Sequence, residues 1–214
     1  MSYSPFNEIG DASGLDREVL ALQRQVILLN QYVKAQDVEN ADRIAASLPK
    51  EFPNQPDAWR ALADFYRREG RSWNALGAHR SLQKLEPNKA ENYFNLAFLY
   101  CELGLHNEGL TAYFQTALLD PDFDQAYIAI GQKIRDFRFR SAQPILYPVL
   151  DKLITAGGYV RPSSVAKAVL SLLDHDPLLE PLLNQPRDMA GVKSFQAAIR
   201  DLDHLPLLHT LMKA

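Results

Sequence analysis

From about residue 16 onward, apolar residues fall at helical spacing and are broken at regular intervals by glycine and proline. Trp59, Leu62, Ala63 and Tyr66 lie at i, i+3, i+4 and i+7 and so share one helix face; Tyr93, Leu96, Ala97 and Tyr100 repeat that spacing. Gly70 and Gly104 follow these two stretches and suit the left-handed turn that ends a helix. Pro53, Pro87 and Pro121 each close a later stretch, since proline cannot donate to the helical ladder. This punctuation predicts helices over about 16–35, 38–51, 56–69, 73–86, 90–103, 107–120, 124–136 and 141–155.

The three prolines are 34 residues apart, and a fixed period of that length marks a stacked helical repeat. Trp59, Leu62, Ala63, Tyr66, Gly70, Ala75 and Pro87 form one unit, with Ala63 at a small-residue position. Tyr93, Leu96, Ala97, Tyr100, Gly104, Gly109, Tyr113 and Pro121 form the next. Leu28, Tyr32, Ala41 and Pro53 keep the frame more loosely before them; Tyr127, Ile130, Gly131 and Tyr147 continue it in degenerate form afterwards. These residues resemble the tetratricopeptide repeat (TPR), a helix–turn–helix unit. The resemblance implies an all-α solenoid of about four repeats that binds a peptide or protein in a concave groove lined by the first helix (A) of each pair. Small residues at Ala63, Ala97 and Gly131 would let helix A approach helix B closely. One repeat cannot bury its apolar face alone, so the stack needs at least three.

The expected organisation is a flexible leader at 1–14, a TPR solenoid at 15–155 and short capping helices at 156–214. The leader is rich in Ser, Gly, Pro and Asn. Past Gly157 and Gly158 the repeat is lost, and Pro162, Pro177, Pro181, Pro186 and Pro206 cut the chain into short pieces. Helices are expected over about 164–174, 178–183, 192–202 and 207–212, packed on the last repeat as a cap. The pattern Asp176-Pro177-Leu178-Leu179, Leu182-Leu183, Phe195, Ile199, Leu202, Leu205-Pro206-Leu207-Leu208 and Leu211-Met212 resembles the linker of bacterial proteins in which TPRs precede an S-adenosylmethionine-dependent methyltransferase domain. That resemblance implies an alternative role, as the N-terminal recruitment or self-association arm of a larger enzyme, with a glycosyltransferase ranking behind a methyltransferase. Nothing in the 214 residues resembles the methyltransferase domain itself. The chain stops inside an apolar helical pattern without a C-cap, which fits a continuation past Ala214.

Composition narrows the function classes. A net charge of −3 disfavours a general nucleic-acid binder. The single cysteine, Cys101, cannot form an internal disulfide and offers no metal-site spacing, which fits a reducing, cytoplasmic setting. No early basic residues precede an apolar run, and no apolar stretch is long enough to span a bilayer.

On the resemblance, the binding face recurs along the A helices. It comprises Asp57, Arg60, Asp64 and Arg67, then Glu91, Phe94, Phe98 and Cys101, then Gln125, Ile128, Gln132 and Arg135, with Val26, Asn30 and Val33 in the earliest repeat. The expected partner-binding residues are Arg60, Asp64, Arg67, Phe94, Asn95, Phe98, Cys101, Gln132 and Arg135. Phenylalanines are out of place on a solvated face, and arginines can fork onto carboxylates. The plainer reading is a solvated helix surface with Arg60–Asp64 and Asp64–Arg68 as i,i+4 pairs. The carboxylate clamp of chaperone-binding TPRs is broken: Asn95 matches and Arg60 can stand for its lysine, but Asp64, Gln125 and Ala129 replace its other residues. The asparagine ladder of glycosyltransferase TPRs is missing too, since Ala61 and Ala129 flank Asn95 at equivalent positions.

Three further motifs are weaker. Lys133 to Arg140 is basic with interleaved Phe137 and Phe139, a pattern that can stack on single strands, but the acidic overall charge and the position at a helix A–B turn favour packing for the two rings over nucleic acid. His175-Asp176, with Asp203, His204 and His209, has the residue types of an HD-type metal hydrolase. A histidine ending a helix and an aspartate capping the next account for the dyad without metal. Cys101 sits in an apolar helix as a small packed or groove-facing residue. No catalytic residue, cofactor or metal is expected, and self-association through terminal repeats is compatible with the architecture.

Overall fold

The computed structural model describes residues 9–156, 158–177, 179, 207 and 210, with side chains from residue 17 on. All regular structure among them is helical: α1 (Ile9–Lys34), α2 (Val38–Glu51), α3 (Pro56–Arg68), α4 (Ser72–Leu85), α5 (Ala90–Glu102), α6 (His106–Leu119), α7 (Asp124–Lys133), α8 (Tyr147–Thr155) and α9 (Pro162–Leu173), plus single 3-10 turns at Ile134–Asp136 and Pro144–Leu146. None of the described helices is long and apolar enough to cross a membrane.

The repeat is written into the backbone. Gly70 and Gly104 have φ of 68° and 78°, and Gln36, one period earlier, has φ of 57°. At each of these three sites the same pair of hydrogen bonds closes helix A. Arg71 N–H donates to Tyr66 O at 2.8 Å and Gly70 N–H to Arg67 O at 3.2 Å. Leu105 and Gly104 do the same onto Tyr100 and Cys101, and Asp37 and Gln36 onto Tyr32 and Val33. This is a Schellman motif, repeated at a spacing of 34 residues. At the other end, Phe52, Glu86 and Asp120 close helix B onto Leu48, Leu82 and Thr116, each followed by the repeat proline.

Gln36 holds a conformation that glycine adopts without cost. Gln36→Gly is expected to stabilise the chain by about 1 kcal/mol. Gly104→Ala should cost about as much, because nothing lies within 4 Å of the added Cβ and only the backbone objects. Urea midpoints moving in opposite directions at unchanged m would show both.

The chain divides into two compact units, Met1–Asn92 and Tyr93–Ala214. The core of the first gathers Leu22, Leu29, Ala41, Leu48, Leu62 and Phe65. That of the second gathers Phe114, Tyr127, Ile130, Leu150, Val169 and Leu172, joined by Leu179 and Leu207. Its α9 packs on the 3-10 turn at 134–136 and on α8.

Three differences from the sequence expectation have local causes. Helix α1 begins at Ile9, ahead of the boundary drawn at Gly14; a glycine inside a helix costs only about 1 kcal/mol, so Gly10 and Gly14 do not exclude it. Helix α7 ends at Lys133 and tightens into the 3-10 turn rather than running evenly to residue 136. The helix expected over 141–155 begins only at Tyr147, because Pro144 and Pro148 lack N–H groups and are tolerated only in first turns. The helices expected at 178–183, 192–202 and 207–212, and with them most of the linker-like pattern, lie outside the described residues, apart from Leu179, Leu207 and Thr210.

Candidate functional site

The A-helix positions carry opposite chemistry in the two units. In the first unit, α3 presents a charged face. Arg60 donates to Asp57 at 2.6 Å and also to Glu86, not to Asp64 as helical spacing suggested. Its fork reaches a carboxylate one turn back and another beyond the end of α4. Burial works against the charge on Glu86, but hydrogen bonds from Arg60 and Asn92 outweigh it and hold the carboxyl below its ordinary range. Arg60 is therefore committed within the chain. Asp64 and Arg67 are both exposed and meet only loosely, at 4.0 Å. Arg68 reaches Asn30 at 3.5 Å rather than Asp64.

Beneath this face lies His79 of α4, 8% exposed, with no hydrogen-bond partner for Nδ1. Burial pushes its pKa down; the Asp64 and Glu91 carboxylates oppose that and the Arg67 guanidinium adds to it. Sequence reading of the A helices alone missed this residue. The signal was its place one period before Tyr113, which lies in the same way under the next A helix.

In the second unit the face is aromatic and apolar. Phe94 is half-buried, with its ring 5.5 Å from Tyr113 and 5.0 Å from Phe123, so it belongs to the packing of α5 on its neighbours. Phe98 is 52% exposed and Ile128 is 44% exposed. Gln132 and Arg135 are exposed; Asn95 and Cys101 are half-buried. The Cys101 thiol occupies the space beside Gly109 of α6: a Cβ on Gly109 would meet Sγ at 2.4 Å and Ala97 O at 3.0 Å. Burial pushes that thiol up despite the neighbouring Lys133 ammonium, so it is not primed as a nucleophile. Gly131 makes room for the backbone of Tyr159, 3.0 Å from where its Cβ would stand, rather than for a paired B helix.

The remaining motifs resolve into structure. Phe137 and Phe139 turn inward, 6.5 and 5.9 Å from Phe114. The His175 ring lies 3.2 Å, through Nε2, from Phe139 O, and the buried Asp176 accepts from the Tyr147 hydroxyl. The dyad thereby ties α9 to the segments before it. Asp203, His204 and His209 lie outside the described residues. Among the described residues no group of three His, Cys, Asp or Glu is placed to hold a metal.

Helix pairs closed by the same turn at a 34-residue spacing decide the architecture. The fold is TPR-type. No family model matches the chain, and no curated protein does. Among solved structures it is similar to MamA in two crystal structures. One is 18% identical over 62% of this chain and 84% of that one, with a TM-score of 0.46. The other is 15% identical over 90% and 92%, with a TM-score of 0.47. It is also similar to an O-GlcNAc transferase mutant from Thermobaculum terrenum, 16% identical over 65% of this chain and 27% of that one, with a TM-score of 0.45. The fold assignment rests on the chain's own repeat geometry.

Proposed function

We propose that the chain is a non-catalytic scaffold that binds a peptide or protein partner on its A-helix faces. Phe98 carries the reading. It is 52% exposed, on a helix whose period-equivalent positions hold the polar Asp64 and Gln132. An exposed phenylalanine loses free energy in water and gains it under a ligand. Gln132 and Arg135 supply polar partners at the rim of this patch, where they orient a ligand more than they hold it. In the first unit, Asp64 and Arg67 offer a charged face, while Arg60 shapes it through Asp57 and Glu86 without remaining available to a ligand. Among the described residues, burial pushes the Cys101 thiol up and the His79 imidazole down. A single cysteine suits a reducing, cytoplasmic compartment.

The test begins with peptides selected from a random library against the whole chain and then measured on variants. Phe98→Ala is expected to weaken the selected peptides about tenfold, the ordinary loss for an aromatic anchor, with the melting temperature unchanged. Undiminished affinity, or a fall in stability matching the fall in affinity, would remove Phe98 from the binding face.

A further inference from the structure

We infer that the strip from Lys133 to Arg140 is a second docking surface, for an acidic segment of a partner protein. Lys133, Arg135, Arg138 and Arg140 are all exposed. Four arginines of the first unit do find carboxylates: Arg43 with Glu39, Arg60 with Asp57 and Glu86, Arg67 with Asp64, and Arg71 with Asp42. Among the described residues, no carboxylate forms an ion pair with Arg135, Arg138 or Arg140. In a chain of net charge −3 the eight residues from Lys133 to Arg140 carry four cations and one carboxylate, the exposed Asp136.

The strip is also held in shape. Phe137 leaves the 3-10 turn with extended backbone, ψ 143°. Along 137–140 the half-buried Phe137 and buried Phe139 alternate with the exposed Arg138 and Arg140. The two rings pack on each other, 5.0 Å apart, and on Phe114. Phe139 N–H donates to Ser171 Oγ at 3.1 Å, and the carbonyl of the same residue faces the His175 ring. Arg138 Nη1 donates to the carbonyls of Phe137, at 2.6 Å, and Arg135, at 3.4 Å. Cations on a backbone anchored by buried neighbours lose little freedom when a carboxylate-bearing segment settles on them.

Nucleic acid fits less well. Binding a single strand needs rings open to the bases, and here Phe139 is buried and the half-buried Phe137 packs on it and on Phe114. The strip shares Arg135 with the rim of the Phe98 surface but not Arg138 or Arg140, so substitutions at those two residues and at Phe98 test the two surfaces separately.

Fluorescence anisotropy on the full chain tests this, using a labelled peptide of alternating Glu and Asp, a Ser/Gln peptide of the same length and a labelled oligo-dT. The acidic peptide should bind, with affinity falling as sodium chloride is raised, and the neutral peptide should not. Arg138→Ala/Arg140→Ala should weaken it about tenfold, whereas Arg24→Ala/Arg43→Ala, which removes as much charge from the first unit, should leave it unchanged. Should the double variant unfold, Arg140→Glu alone gives the same reading. Equal losses in both double variants would overturn the proposal, as would oligo-dT binding more tightly than the peptide. So would a loss in Phe98→Ala as large as that in the arginine variant.

Discussion

Tyr127→Ala is expected to cost roughly 3–5 kcal/mol, the range for removing a fully buried aromatic ring. Tyr127 is 1% exposed. Its ring stacks on Tyr159 at 5.2 Å and 25°, and the Lys152 ammonium sits 4.8 Å above its centre. Lys152 is itself held by Pro121 O and Asp122, and Tyr159 by Asp124 at 2.5 Å, so the substitution would loosen the turn entering α7 as well as empty a cavity. Trp59, one of its period equivalents, is the larger residue and the more eye-catching in sequence, yet it is only half-buried and its Nε1 donates at 2.8 Å to Pro53 O at the exposed end of the repeat. Trp59→Ala should cost about 2 kcal/mol, from partial burial and one hydrogen bond. Urea unfolding of the two variants decides the order. A larger loss for Trp59→Ala would mean that the degenerate fourth repeat contributes less than its burial implies. Tyr127→Phe, which keeps the ring, should stay within about 1 kcal/mol of the parent.

Gly109→Ala is expected to destabilise the chain by about 1–3 kcal/mol, although alanine is the better helix former. The new Cβ would stand 2.4 Å from Cys101 Sγ and 3.0 Å from Ala97 O, both on α5. The sulfur can swing away only where neighbours allow, and the carbonyl cannot move without moving α5. Part of the cost therefore belongs to the sulfur, which a double-mutant cycle isolates. In a Cys101→Ala background, Gly109→Ala should cost at least about 1 kcal/mol less, leaving the backbone contact set against the gain in helix propensity. Purely additive effects would show that Cys101 already has room to move, and that Gly109 is required by the α5 backbone alone.

The helical pairs were legible in the sequence because their ends are closed by local chemistry. A glycine at a left-handed C′ position and a proline after a B helix act within a few residues of themselves. The Schellman turn at Gln36 was hidden for the same reason: no glycine advertises it, and only the period places it. The fourth B helix was misjudged because Pro144 and Pro148 were read as part of an apolar helix rather than as a delayed start. The candidate face was legible only as positions. Which side chains there are free depends on partners far away in sequence, such as Glu86 for Arg60 and Tyr113 and Phe123 for Phe94. The bidentate Arg71–Asp42 pair, at 2.5 and 3.0 Å across 29 residues, has no pattern of its own in the sequence. Neither does the exposure of Trp73, which stands 64% open on α4, on the side away from its buried Ala75, Leu76 and His79.

Trp73 provides the sharpest control for the proposed function, since it is as aromatic as Phe98 and more exposed, but sits on a B helix. The decisive measurement is site-specific photo-crosslinking: a benzophenone amino acid placed at position 98 or at position 73, with a selected peptide bound and the adduct mapped by mass spectrometry. Efficient crosslinking from position 98 and little from position 73 is the expected result. Crosslinking from 73 with none from 98 would contradict binding on the A-helix face and place the ligand on the B helices.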